Sequence, residues 1–156
     1  MEKVSKATFE YTTNKGLEMV NLFQVTLFSF LTGNSDMHLK NFSIIKQLDG
    51  TVELTPAYDL LSTKLVIPLD KEEMALTMIG KKSNFIKNDF KKFGEYCSIP
   101  ESAVENVLKG FERKLPKMKQ WIERSFLSDQ MKKDYLSLIQ ERAKRLYLKI
   151  PPNFET

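Results

Sequence analysis

Apolar residues fall into blocks along this chain, and the spacing inside each block sets the element it predicts. From Leu17 to Leu31, the residues Leu17, Val20, Phe23, Leu27, Phe28, Phe30 and Leu31 occupy nearly the whole circumference of a helix. That is the pattern of a helix buried on most sides. Glu18, Asn21 and Gln24 interrupt the run, which also falls short of the roughly 20 apolar residues that cross a bilayer. It predicts a central core helix and no membrane span. The residues ahead of it are polar, with Thr12, Thr13, Asn14 and Lys15 before Gly16, and predict an irregular lead-in over 1–16.

Beyond Gly33 a loop from Asn34 to Asn41 leads into two β-branched runs, Phe42–Lys46 and Thr51–Leu54, separated by Asp49-Gly50. This predicts a β-hairpin with φ > 0 at the central turn residues, ended by Pro56. Met74–Ile79 predicts a further short strand stopped by Gly80. The rest is helical. Phe90, Phe93 and Cys97 keep helical spacing, Ile99-Pro100 breaks it, and Val104, Leu108, Phe111, Leu115, Met118 and Ile122 form one longer stripe. Pro116 lies inside that stripe and should kink it or split it into two shorter helices. Ser128 caps a last helix with Met131, Tyr135, Leu138, Arg142 and Leu146 on one side and Lys132, Lys133, Glu141 and Lys144 outside. Pro151-Pro152 closes it and leaves 151–156 as a tail. The expected architecture is one mainly α domain over 17–150 with a small inserted β-hairpin, and with Phe111, Trp121 and the methionines in its core.

Composition narrows the class. In 156 residues, 42% are hydrophobic, enough to bury a continuous core, which argues against disorder. The 24 Lys and Arg against 20 Asp and Glu leave a net charge of +4, too diffuse to name an anionic partner. Lys91-Lys92 and Lys132-Lys133 read as solvated helix faces, so no direct nucleic-acid binding is expected. Cys97, the sole cysteine, cannot form an internal disulfide and fits a small buried residue better than a nucleophile. No secretory leader opens the chain, so the expected location is cytoplasmic.

Candidate chemistry sits around the hairpin. Asp36 and Asn41 stand five residues apart, the spacing of a kinase catalytic loop, in which the Asp accepts a hydroxyl proton and the Asn binds magnesium. The hairpin leaves from Asn41 and its strands end about 5 Å apart, so the chain should return Asp59 beside the loop as a second oxygen ligand. Magnesium asks for one or two protein oxygens, with phosphates and waters completing its octahedron. Lys40 would then stabilise charge on a transferred phosphate, while His38 would hydrogen-bond the Asp59 region and stiffen the loop. The alternative for Asp36, Asn41 and Asp59 is plain loop and helix capping.

Two stretches, Gly33-Asn34-Ser35-Asp36-Met37-His38-Leu39-Lys40-Asn41-Phe42-Ser43 and Pro56-Ala57-Tyr58-Asp59-Leu60-Leu61-Ser62, resemble the C-terminal domain of HipA-type Ser/Thr kinases. Met74–Lys82 and Ser125–Ser128 agree with that pattern, and the likeness runs from Leu17 to Leu148. It implies the C-lobe of a protein-kinase-like fold, with ATP and Mg2+ as cofactors. Asp36, Lys40 and His38 are the implied catalytic residues, Asn41 and Asp59 the implied metal ligands. It also implies a bacterial toxin held by a helix-turn-helix antitoxin, with protein substrates that include aminoacyl-tRNA synthetases.

A complete kinase of this kind also needs an ATP-holding N-lobe upstream of the loop. About thirty residues stand there, and the glycines form neither a G-x-G-x-x-G nor a Walker loop. The expectation is an N-lobe trimmed away, supplied by another polypeptide, or lost, with the chain inactive alone. A non-catalytic module that binds an antitoxin or regulator is the competing reading.

Overall fold

The computed structural model describes residues 1–154, apart from the side chain of Asn153. Six helices and one hairpin follow in order: α1 (Glu2–Tyr11), α2 (Lys15–Thr32), β1 (Ile44–Lys46), β2 (Val52–Leu54), α3 (Thr63–Val66), α4 (Lys87–Tyr96), α5 (Glu101–Glu123) and α6 (Asp129–Arg145). Short 3-10 turns occupy Leu39–Asn41 and Pro152–Phe154. Among the described residues no helix is long and apolar enough to cross a membrane.

The central helix is α2, which contacts α1, α4, α5, α6 and β2. Leu22, Phe23, Leu27, Phe30 and Leu31 are fully buried along it, each contributing on the order of 1.5–3 kcal/mol of apolar burial. Phe23 and Phe30 join Phe85, Phe90 and Phe93 in an aromatic cluster whose tightest pair, Phe30 and Phe90, has centroids 5.1 Å apart. α6 closes over the end of α2. The buried guanidinium of Arg142 lies 4.9 Å over the Phe30 ring and donates to the Phe30 carbonyl, where the negative end of the helix dipole favours a cation. Arg145 pairs with Glu73 at 2.6 and 2.9 Å and donates to the Phe85 carbonyl, fixing the irregular segment between α3 and α4.

Several expectations are corrected. The lead-in is a helix, not irregular: Met1, Val4, Ser5, Thr8 and Thr12 fall on one face of α1 and are buried. Met74–Ile79 forms no strand, since only Met78 and Lys81 bridge, across a tight turn with φ of 50° at Ile79 and 73° at Gly80. Its remaining backbone finds other partners, the Ile79 amide donating to Glu2 Oε1 at 2.6 Å. Pro116 neither ends nor splits α5, whose stripe from Val104 to Ile122 lies on one continuous core. Trp121 sits off that stripe and is 63% exposed, stacking on Arg124 instead of entering the core. In the 151–156 tail, Pro152–Phe154 turns back and buries Phe154, while 155–156 lie outside the described residues.

Candidate active site

The hairpin forms where its sequence predicts, pairing Ile44 with Leu54 and Lys46 with Val52. Its turn differs in detail. Only Gly50 has positive φ, 87°, and the bonds Gly50 N to Gln47 O and Gln47 N to Thr51 O enclose a three-residue loop with a glycine bulge. The outer edge of β2 is covered by α2 and the residues before it. The Thr13 amide donates to the Val52 carbonyl, the Val52 amide to Thr13 Oγ1, and the Leu54 amide to the buried Glu18 carboxylate at 3.0 Å. The hairpin is thereby fixed against the core helix, and Thr55 N to Ser43 O carries its pairing one step toward the loop.

Gly33 ends α2 in the left-handed region, φ 77°, with its amide donating to Phe30 O and the Asn34 amide to Ser29 O. The chain then enters the loop. Asn34 Oδ1 accepts the Asp36 amide at 3.1 Å, an Asx turn that presents the exposed Asp36 side chain outward. Lys40 is exposed, Met37 is buried beneath, and Asn41 is only 5% exposed. Asn41 Nδ2 donates to Asp59 Oδ2 at 2.9 Å, so the residue returned by the hairpin does arrive beside the loop. Asp59 adopts φ 54°, a strained conformation that Asp tolerates better than most residues.

Asn41 Oδ1 is buried and has no hydrogen-bond partner. A buried amide oxygen left bare costs on the order of 1–3 kcal/mol, and a hard cation shared with Asp59 would satisfy it. The residues present therefore fit magnesium. His38 departs from expectation: Nδ1 is buried without a partner, and the bond to the Asp59 region is made by Asn41. From Asn41 a groove of about 370 Å³ runs between α2 and the hairpin, bordered by Leu17, Gln24, Val25, Leu54 and Ala57.

Residues without a role in the sequence reading also converge here. Tyr58 Oη donates to the Lys40 carbonyl at 2.7 Å and lies 2.6 Å from Ser43 Oγ. Ser35 is bound from its far side by Thr63 and Asp70. No local spacing signals the contact between Ser35 and Thr63, because it joins residues 28 apart.

A helical domain whose inserted hairpin returns an aspartate to an Asp-x-x-x-x-Asn loop has the architecture of the C-lobe of a protein-kinase-like fold. The chain belongs to the HipA-like C-terminal domain family, whose family model matches residues 1–119. A Haemophilus influenzae protein named "Putative kinase" is 26% identical over 142 residues, covering 81% of this chain and 41% of its own. A Sinorhizobium fredii protein named "Putative kinase Y4dM" is 62% identical over 37 residues, 24% of this chain and 9% of its own. Among solved structures, the HipA, HipB and operator DNA complex of a Shewanella oneidensis toxin–antitoxin system matches with a TM-score of 0.58. That likeness is 22% identical and covers 81% of this chain and 29% of the other. The matches cover less than half the length of each of these proteins.

Proposed function

We propose that this domain is the catalytic-loop portion of a HipA-like protein Ser/Thr kinase, which transfers the γ-phosphate of ATP to a protein hydroxyl when completed by an ATP-holding lobe. The observation that carries the reading is the bare, buried Asn41 Oδ1 beside Asp59. Asp36, exposed at the loop surface, orients the acceptor hydroxyl and takes its proton. Asn41 and Asp59 hold magnesium, which when bound neutralises charge on the phosphate oxygens. The exposed Lys40 ammonium steadies the group in transfer. His38, half-buried in the loop with its Nδ1 turned inward, helps hold the shape of the loop. The Shewanella complex of HipA with HipB and operator DNA supports an antitoxin as a partner of this chain.

A second reading, a non-catalytic module that binds an antitoxin or regulator, draws on Trp121 and Phe126, both exposed near the corner between α5 and α6. Phosphate transfer separates the two. With labelled ATP, casein as a generic acceptor and the complete two-lobe kinase, Asp36→Asn should lower transfer about 100- to 10,000-fold while nucleotide binding persists. Equal transfer by both proteins would remove Asp36 from the base role, and no transfer by either would favour the module.

A further inference from the structure

Four contacts tie the segment after the hairpin to the loop, its first residues to the end of the loop and its last to the start. Tyr58 reaches the Lys40 carbonyl, Asp59 receives Asn41 Nδ2, Thr63 meets Ser35, and the Lys64 amide donates to the Gly33 carbonyl at 3.0 Å. The segment therefore runs back along the loop as a clasp, from its exit at Lys40 and Asn41 to its entrance at Gly33. Thr63 occupies the entrance. Its Oγ1 accepts the Ser35 amide at 2.8 Å and lies 2.6 Å from Ser35 Oγ and 3.2 Å from the Gly33 carbonyl. Ser35 Oγ in turn donates to Asp70 Oδ2 at 3.2 Å. Asp70 is held below its usual carboxylate range, first by the Glu72 amide and, with burial opposing, by this Ser35 hydroxyl.

Proton counting makes Thr63 the centre of this arrangement. Thr63 accepts the Ser35 amide, and its single hydroxyl proton faces both the Gly33 carbonyl and the Ser35 oxygen, which is free to accept when Ser35 donates to Asp70. Thr63 thus bridges Gly33 and Ser35, the two residues at the loop entrance just before Asp36. Asp36 itself is held by the Asx turn from Asn34 and, on its other side, by the His38 amide, which donates to the Asp36 carbonyl at 2.8 Å. Without the Thr63 hydroxyl, the Ser35 amide would lose its acceptor.

We infer that Thr63 is a positioning residue: its hydroxyl fixes the loop entrance so that Asp36 is held where an acceptor hydroxyl must come. The inference rests on the kinase reading for its catalytic consequence, and on geometry alone for the clasp. A group misplaced by as little as an ångström costs rate more than binding, so the effect should fall on turnover.

The test compares Thr63→Val, which keeps the shape and removes the hydroxyl, with Thr63→Ser, which keeps the hydroxyl. Amide hydrogen exchange in the 156-residue chain should show the Ser35 amide losing protection about five- to tenfold in Thr63→Val and regaining it in Thr63→Ser, the size of one ordinary hydrogen bond. In the complete kinase, Thr63→Val should lower kcat about tenfold or more with KM for magnesium-ATP changed less than about threefold, and Thr63→Ser should restore it. Unchanged Ser35 protection in Thr63→Val overturns the clasp. Lost protection with unchanged kcat overturns the positioning role. If the wild type transfers no phosphate, the kinase reading fails, and the exchange data still judge the clasp on their own.

Discussion

Replacing Gly33 with alanine places a methyl group where α2, the loop and the clasp segment converge. The new Cβ would stand 2.6 Å from Leu138 Cδ2, 3.0 Å from Ser62 Oγ and 3.2 Å from Lys64 Cβ. The Leu138 side chain can give way, but Ser62 and Lys64 belong to the segment bound to the loop. Holding alanine at φ 77° costs about 1–2 kcal/mol, while the stiffer unfolded chain returns about 0.4–1 kcal/mol. Crowding in a packed site adds about 1–3 kcal/mol. The net loss should be about 2–3 kcal/mol, which for a chain of this size lowers Tm by about 5–10 °C. Urea unfolding followed by far-ultraviolet circular dichroism measures it, with the slope of the transition checked for constancy. A loss under about 0.5 kcal/mol would refute the reasoning, since it would mean that neither the left-handed backbone nor the close packing at the end of α2 constrains this position.

Burial alone would raise the Glu73 carboxyl, but hydrogen bonds from Arg145 and from the Phe85 amide outweigh it and hold the group below 4.5. With the folded value below the unfolded one, the stabilisation is present above about pH 4.5 and is lost as pH falls through the folded value. The urea midpoint of the wild type should therefore drop more steeply between about pH 5 and pH 3 than that of Glu73→Gln, and parallel curves would contradict this. The Cys97 thiol is pushed up to about 11, chiefly by burial, with the Ser5 hydroxyl pulling weakly the other way. An aromatic disulfide reagent at about pH 8 should consequently modify the protein only as fast as it unfolds, and immediate reaction of the native chain would contradict its burial.

What the sequence revealed depended on how each element buries its surface. α2 was legible because large apolar side chains surround it, and α6 because Ser128 does accept the Met131 amide as a cap. α1 was hidden because its buried face is made of Val4, Ser5, Thr8 and Thr12, small and hydroxyl-bearing residues that carry no hydrophobic period. Met74–Ile79 looked like a strand by composition, but a strand needs a neighbour, and these residues turn back on themselves beside α1. Pro116 was a valid local warning that the continuous core contact of α5 overrides.

At the candidate site, the pairing of Asn41 with Asp59 was legible because a hairpin must return its chain to where it left. Tyr58, Thr63 and Asp70 were not, because their hydrogen bonds to the loop arise from the path of an irregular segment and not from any periodic pattern. The bare oxygen of Asn41 could be known only from the fold, since hydrogen-bond satisfaction is a property of three-dimensional surroundings.

Titration calorimetry of magnesium-ATP into this chain tests the central claim most directly, performed alone and with a HipA-type N-lobe supplied, for wild type and Asp59→Ala. Magnesium-dependent binding should appear with the added lobe and vanish in Asp59→Ala. Absence of magnesium-dependent binding under every condition, or binding that Asp59→Ala leaves intact, would contradict it.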